Sequence, residues 1–356
     1  MSRLRPTKPT CVPDVWFAVP GDLATLTGGY IYARRVMAAL LAAGWAARHV
    51  ALPGGFPHPS RDDLADTRRI FAALPAKAIV IVDGLAYGAM TPETVAGLDL
   101  TIVALIHHPL ALESGLTFAR AAILRTSEHT MLALAKSVIV PSPSTAETLV
   151  QDYGVSRTRI VIAEPGTDPG MRAAGNDGRL HLLTVATITP RKGHDVLMQA
   201  LAGIKDLAWQ SQLVGSATRD PAMAQQVQRL IAERGLSNRV VLSGELTDEA
   251  LAAAYLGADI FVLPSRHEGY GMVFAEALAH GLPIIACDAG AVSKTVPADA
   301  GILVPPDDPQ ALADALRRVI SDTALRQKLS EAAWGYGKKL PTWSDTAAAV
   351  ARALNA

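Results

Sequence analysis

Cysteine is nearly absent: Cys11 and Cys287 are the only two among 356 residues. One lies in the N-terminal stretch and the other at a strand end. A disulfide-stapled scaffold is therefore not expected, and a reducing compartment fits. Net charge is absent too, with 33 basic side chains against 33 acidic ones. Nucleic-acid binding, which calls for a basic excess or stripe, is not expected. No apolar run reaches the roughly 18 residues that would cross a bilayer. Met1 to Pro13 is basic and proline-bearing but has no apolar centre, so it reads as a tail and not as a secretory signal. The expectation is a cytoplasmic protein, with peripheral contact at the inner face of the membrane left open. There is no Asp-x-Asp cluster or other metal-ligand spacing. No Gly-x-Gly-x-x-Gly follows the first strand of either half, which argues against a dinucleotide-dependent dehydrogenase.

What is present is abundant apolar sequence, 50% of the chain, punctuated by 28 glycines and 23 prolines. Such a chain is long enough for two domains with sizeable cores. Short apolar runs alternate with helical stretches. In the first half, strands are expected at 15–19, 46–52, 78–82, 101–106, 137–140 and 160–163, with a helix from about Tyr30 to Ala43 after Gly28 and Gly29. The segment 164–177 (EPGTDPGMRAAGND) reads as a linker, and the pattern restarts beyond it. Five further strands are expected at 181–186, 210–214, 240–242, 260–263 and 284–287. Strand–helix alternation at this spacing means parallel sheets with helices on both faces. The fold class is α/β, two Rossmann-like doubly wound domains facing a central cleft. Residues 1–165 are expected to form the first domain and 178–340 the second. Residues 341–356 form a separate last helix.

The most informative stretch is Phe261 to Gly290, FVLPSRHEGYGMVFAEALAHGLPIIACDAG. A buried strand stops at Pro264, a glycine turn follows, a helix opens near Met272, and Gly281-Leu282-Pro283 ends it. Gly269 and Gly271 let backbone approach a ligand closely. The amides of Gly271, Met272 and Val273 present donors and a helix dipole to an anion. Glu268 and Glu276 flank the turn. Carboxylates repel bare phosphate but accept hydrogen bonds from hydroxyls, so the guest is read as a sugar phosphate or nucleotide sugar. The motif resembles the signature of retaining glycosyltransferases of family 4, which have the GT-B fold. The resemblance implies that Glu268 meets the donor sugar, that Glu276 meets the ribose, and that Gly269 to Val273, Tyr270 included, line sugar and diphosphate. It also implies that the first domain is the acceptor side and the second the donor side, and that the last helix returns to the first domain.

A second constellation is Thr184 to Gly193, TVATITPRKG, a strand and turn ending in Arg191 and Lys192. Two cations there can neutralise the charge that develops on a diphosphate leaving group. The resembled family usually has arginine five positions before the lysine, where this chain has Thr187; the Pro-Arg-Lys order resembles a subset of the family. By the same resemblance Gly28 and Gly29 lie over the donor, and a strand-end histidine touches the donor sugar. His107 is the preferred member of the His107-His108 pair. His108 and Glu113 are assigned to the acceptor side, and Gly215 and Leu246 to the nucleoside. Acceptor choice is expected in loops 53–60 and 108–117. Lys294 stands where the family often has glutamate, and it receives no role.

The expected activity is transfer of a hexosyl unit, mannosyl or glucosyl among the candidates, from a nucleotide diphosphate sugar to a hydroxyl of a glycan, lipid or small molecule. The configuration would be retained. No cofactor or metal is expected, because Arg191 and Lys192 supply the charge. The rival readings are a GT-B-like phosphorylase or epimerase and a nucleotide-sugar-binding protein without catalysis.

Overall fold

Ile260 and Val262 go to one face of their strand, Phe261 and Leu263 to the other, and all four are fully buried. That period of two with apolar residues on both faces is what a strand covered on both sides requires. A computed structural model of the chain describes residues 13–113, 115–174 and 179–355. The tail reading of residues 1–13 falls outside them except at Pro13, and Cys11 lies outside as well.

The first domain carries six parallel strands: β1 (Asp14–Pro20), β2 (Ala46–Leu52), β3 (Ala78–Asp83), β4 (Leu100–Leu105), β5 (Ser137–Val140) and β6 (Ile160–Ile162). Their spatial order is β2-β1-β3-β4-β5-β6. Helices α1 (Gly28–Ala42), α2 (Arg61–Ala72), α3 (Gly84–Tyr87), α4 (Phe118–Leu134) and α5 (Pro143–Tyr153) connect them. Helix α1 thus starts at Gly28 and not at Tyr30. Glycine's cost in a helix is backbone entropy and falls on the interior, so it is tolerated at the first positions.

The second domain repeats the plan with β7 (Leu180–Val185), β8 (Trp209–Val214), β9 (Val240–Gly244), β10 (Ile260–Leu263), β11 (Ile284–Cys287) and β12 (Gly301–Val304). The order is β12-β11-β10-β7-β8-β9. Strand β12 is an addition to the five expected from sequence. Its run, GILV, opens on a glycine, a weak strand former, and it pairs in register with β11. The helices are α6 (His194–Ala202), α7 (Pro221–Glu233), α8 (Asp248–Leu256), α9 (Met272–Ala279), α10 (Val292–Thr295), α11 (Pro309–Ser321) and α12 (Thr323–Gly337).

A last helix, α13 (Trp343–Asn355), lies on the first domain. Its Ala347, Val350, Ala353 and Leu354 share a core with Val15, Phe17, Tyr32 and Ile139. The Ser137 hydroxyl donates to the Ala353 carbonyl, and the Thr346 hydroxyl to the Glu164 carbonyl.

In each sheet the strand order reverses at one place, between β1 and β3 and between β7 and β10. Ligands of doubly wound sheets bind outside the carboxyl ends of strands at that reversal.

Candidate active site

The loops at the second reversal hold most of the charge. After β7 comes a single 3-10 turn, Pro190–Lys192, ended by Gly193 in the left-handed region at φ 67°. A Cβ on Gly193 would overlap the Pro264 carbonyl oxygen, so glycine lets this turn lie against the loop after β10. The Arg266 amide donates to the Arg191 carbonyl at 2.7 Å. The Arg266 guanidinium then grips Asp195 at 2.9 Å and Asp307 at 2.7 Å, so the two loops are stapled together.

That staple brings Lys192 and Glu268 together. Lys192 Nζ donates to Glu268 Oε1 at 2.6 Å, the Ser265 hydroxyl donates to the same oxygen at 2.6 Å, and Arg191 Nη1 lies 3.5 Å from Oε2. Glu268 is only 5% exposed. Burial by itself would raise its pKa, but Lys192 and Arg191, with the hydrogen bonds from Lys192 and Ser265, outweigh burial and hold the carboxyl at about 2. Burial also lowers the Lys192 pKa, against the pull of Glu268. Sequence reading placed Lys192 at the diphosphate and Glu268 at the sugar; here the two side chains are directly paired.

Arg191 also reaches across the cleft. Its Nε donates to Glu113 Oε1 at 3.1 Å, and Glu113 Oε2 lies 3.1 Å from His108 Nε2. The His267 ring stands 6.0 Å from the His108 ring. Burial, then His108 and Arg191, pushes the His267 pKa down to about 4, so this imidazole is neutral at pH 7.

His107 is set apart from its neighbour. Its ring packs edge-on against Tyr32 at 5.2 Å and faces Asp83 at 3.5 Å, too long for a hydrogen bond. His107 Nε2 is buried and has no hydrogen-bond partner among the described residues. Gly29 lies over that ring, and around Gly28 a Cβ would meet no protein atom within 4 Å. Gly269 touches the same region from the other domain: a Cβ there would overlap the His107 carbonyl oxygen. The Thr145 hydroxyl donates to the Gly269 carbonyl at 3.2 Å.

Gly271 caps α9 at φ 85°, leaving Met272 and Val273 at the helix start. Tyr270 is buried, its carbonyl accepting from the Thr295 hydroxyl at 2.7 Å. Met272 packs against the first domain's core and Val273 against the second's. Glu276 is one turn further along α9 and does not join the Lys192 cluster. It accepts from the Tyr255 hydroxyl at 2.7 Å, and burial pushes its carboxyl above the usual range, partly offset by that bond. Gly215 and Leu246 sit beyond β8 and β9, further along the same edge; the Gly215 amide donates to the Gly244 carbonyl at 2.8 Å.

Several neighbours of the cluster carry no role in the sequence reading: Ser265, Asp83, Thr145, Tyr255 and the segment 290–295. The Ala291 amide donates to the Glu268 carbonyl at 2.8 Å, so that segment holds the Glu268 loop through backbone. Of these only Ser265, three residues before Glu268, carried a local signal. The loop 53–60 lines a hollow of about 420 Å³ with Arg120, Ile123 and Ser127, apart from all of the cluster residues. Among the described residues no group of three or more His, Cys, Asp or Glu is placed to hold a metal ion. No helix among them is long and apolar enough to cross a membrane.

Residues 172–334 match the family model of glycosyl transferases group 1, and residues 28–170 match that of glycosyltransferase family 4. The chain belongs to this glycosyltransferase family, and its two facing doubly wound domains are the GT-B fold. A D-inositol 3-phosphate glycosyltransferase of Xylanimonas cellulosilytica is 29% identical over 241 residues, 63% of this chain and 57% of that protein. Its namesake from Corynebacterium glutamicum is 28% identical over 250 residues, 65% of this chain and 60% of that protein. The match thus spans less than two thirds of the length of these relatives. Among solved structures, sucrose-phosphate synthase from Thermosynechococcus elongatus superposes with a TM-score of 0.82 at 26% identity, covering 96% of this chain and 98% of that one. HepE of Anabaena, solved with UDP-glucose, has a TM-score of 0.74 at 17% identity over 96% of this chain and 99% of its own, which shows the fold alone.

Proposed function

We propose that the chain is a retaining glycosyltransferase that moves a hexosyl unit from a nucleotide diphosphate sugar to an acceptor hydroxyl. The observation that carries this reading is Glu268, buried and ionised between Lys192, Arg191 and Ser265 beside the open start of α9. A buried carboxylate accepts hydrogen bonds from the hydroxyls of a sugar, while cations and the amides at a helix start serve phosphate oxygens.

In the proposed step the bond from the anomeric carbon to the diphosphate oxygen breaks. A bond to the acceptor oxygen forms on the same face. The acceptor's proton passes to the departing phosphate oxygen, and the nucleoside diphosphate leaves. Lys192 has three N–H donors and spends one on Glu268, so others remain for the diphosphate. Arg191 and the amides of Gly271 to Val273 complete the charge neutralisation. His107, with its unpartnered Nε2, contacts the donor sugar, and Gly28 leaves room for the donor at the start of α1. Glu276 binds the ribose, and Gly215 and Leu246 border the nucleoside. No metal enters the step, and chelation should leave the rate nearly unchanged. The relatives' names point to a cyclic polyol, carrying a phosphate in their case, as one acceptor class. A cytoplasmic setting belongs to the same reading and rests on the scarcity of cysteine.

The test is a panel of α-linked UDP-, GDP- and ADP-sugars with product analysis by NMR. Retention at the anomeric carbon with chelator present supports the proposal. An inverted product, or activity abolished by chelator and restored by magnesium or manganese, overturns it.

A further inference from the structure

Glu268 has a second setting. Besides joining the cation cluster, it lines a cavity of about 260 Å³ that both domains wall. The first domain contributes one face of α5, with Ser144, Glu147, Thr148 and Gln151, and the second contributes His267 and Glu268. The four α5 residues fall at helical spacing i, i+3, i+4 and i+7, so they form a single stripe. Whatever fills the cavity touches the residue that the proposed function puts beside the transferred sugar.

The cavity lies below the roughly 300–1,000 Å³ typical of drug-sized pockets, so it encloses about one ring. Its stripe offers hydroxyls, a carboxylate and an amide, which pair with hydroxyl groups in both directions. An anion finds little there. No lysine or arginine is among the described lining residues. His267 is neutral at pH 7. The start of α5 also offers an anion few amides: Pro143 has no N–H, the Thr145 amide is given to the Ser142 hydroxyl at 3.1 Å, and the Ala146 amide to the Ser142 carbonyl at 3.1 Å. A phosphate would instead meet Glu147.

We propose that this cavity is the acceptor site, that it takes an uncharged polyol about one ring in size, and that Glu147 is the specificity-determining residue that turns phosphorylated acceptors away. The inference rests on the glycosyl-transfer reading and adds the acceptor class to it. It moves acceptor choice from loop 53–60 to α5.

The experiment is a competition assay. Equal amounts of a polyol and its phosphate monoester, inositol with inositol 3-phosphate and glucose with glucose 6-phosphate, are offered together with each donor sugar. Products are counted by mass spectrometry for the wild type, Glu147→Gln and Glu147→Arg. Glu147 is exposed on α5, and a product ratio does not depend on how much protein is folded. The wild type is expected to favour the free polyol by about tenfold or more, since like charges brought together are strongly disfavoured. Glu147→Gln should narrow the ratio and Glu147→Arg narrow it further or reverse it. A wild type that prefers the phosphate ester, or a ratio unmoved in both variants, overturns the assignment. Release of nucleoside diphosphate from no donor with any acceptor overturns the transfer reading itself, and is separable because calorimetric binding of free polyol by the wild type would persist.

Discussion

Glu113 of the first domain and Arg191 of the second are joined across the cleft by an ion pair of 3.1 Å. The glutamate is 43% exposed and the arginine 18%. Arg191 is a proposed partner of the diphosphate, so Glu113 competes with the donor for it. Partly exposed pairs are worth no more than about 1 kcal/mol. Glu113→Gln should therefore tighten nucleoside diphosphate binding about threefold to fivefold by calorimetry, with little change in Tm. Weaker binding would instead assign Glu113 to holding Arg191 in place.

The Lys192–Glu268 pair gives Lys192 a structural duty as well as a chemical one. Removing one partner of a buried pair costs about 3–5 kcal/mol, at the lower end here because Arg191 stays within 3.5 Å. Lys192→Met should lose both stability and turnover. The double variant Lys192→Met with Glu268→Gln should regain stability in urea while turnover stays about 10²–10³-fold down. Wild-type turnover in the double variant would remove both residues from the mechanism. Because the Glu268 pKa is held at about 2, below its ordinary 4.5, the pair's contribution is complete above about pH 4.5 and is lost as pH falls toward 2.

Glu276 and Glu268 should separate by ligand. Glu276→Ala is expected to weaken donor and free nucleotide alike, because both carry the ribose. Tyr255→Phe, which removes the 2.7 Å bond to Glu276, should do the same more weakly. Glu268→Ala should spare free nucleotide and damage transfer. Equal loss of nucleotide binding in all three variants would refute this division of roles.

Glu128 is fully buried in α4 and accepts from the Leu110 amide at 3.1 Å, behind the His107–His108 loop. Burial pushes its carboxyl up to about 7. An acid raised in the folded state favours folding where it stays protonated, so its cost grows as pH rises from about 4.5 and is complete above about 7. Glu128→Gln should raise Tm at pH 8 more than at pH 5, by up to roughly 3 kcal/mol of stability at the higher pH. A pH-independent effect in thermal melts would contradict this.

The parts of the site legible in the sequence are those made by consecutive residues. The glycine turn between Glu268 and Glu276 and the helix stop at Gly281-Leu282-Pro283 could be read because strand end, turn and cap are local signals. The Lys192–Glu268 pair could not, since its members are 76 residues apart and meet only because β7 and β10 are neighbours. The α5 stripe was equally hidden: SPSTAETLVQ reads as an ordinary polar-faced helix until the second domain closes over it. Strand β12 was missed because its run opens on Gly301, and its pairing with β11 is not visible in the sequence.

The return of α13 onto the first domain ties that domain's completion to the order of synthesis. Ser137 and Ala353, joined by a hydrogen bond, are 216 residues apart. Strands β1 to β6 leave the ribosome with the face under Val15, Phe17 and Ile139 still lacking Ala347, Val350 and Leu354. The whole second domain is made in between. The first domain's core is thus completed only after the second domain has been made.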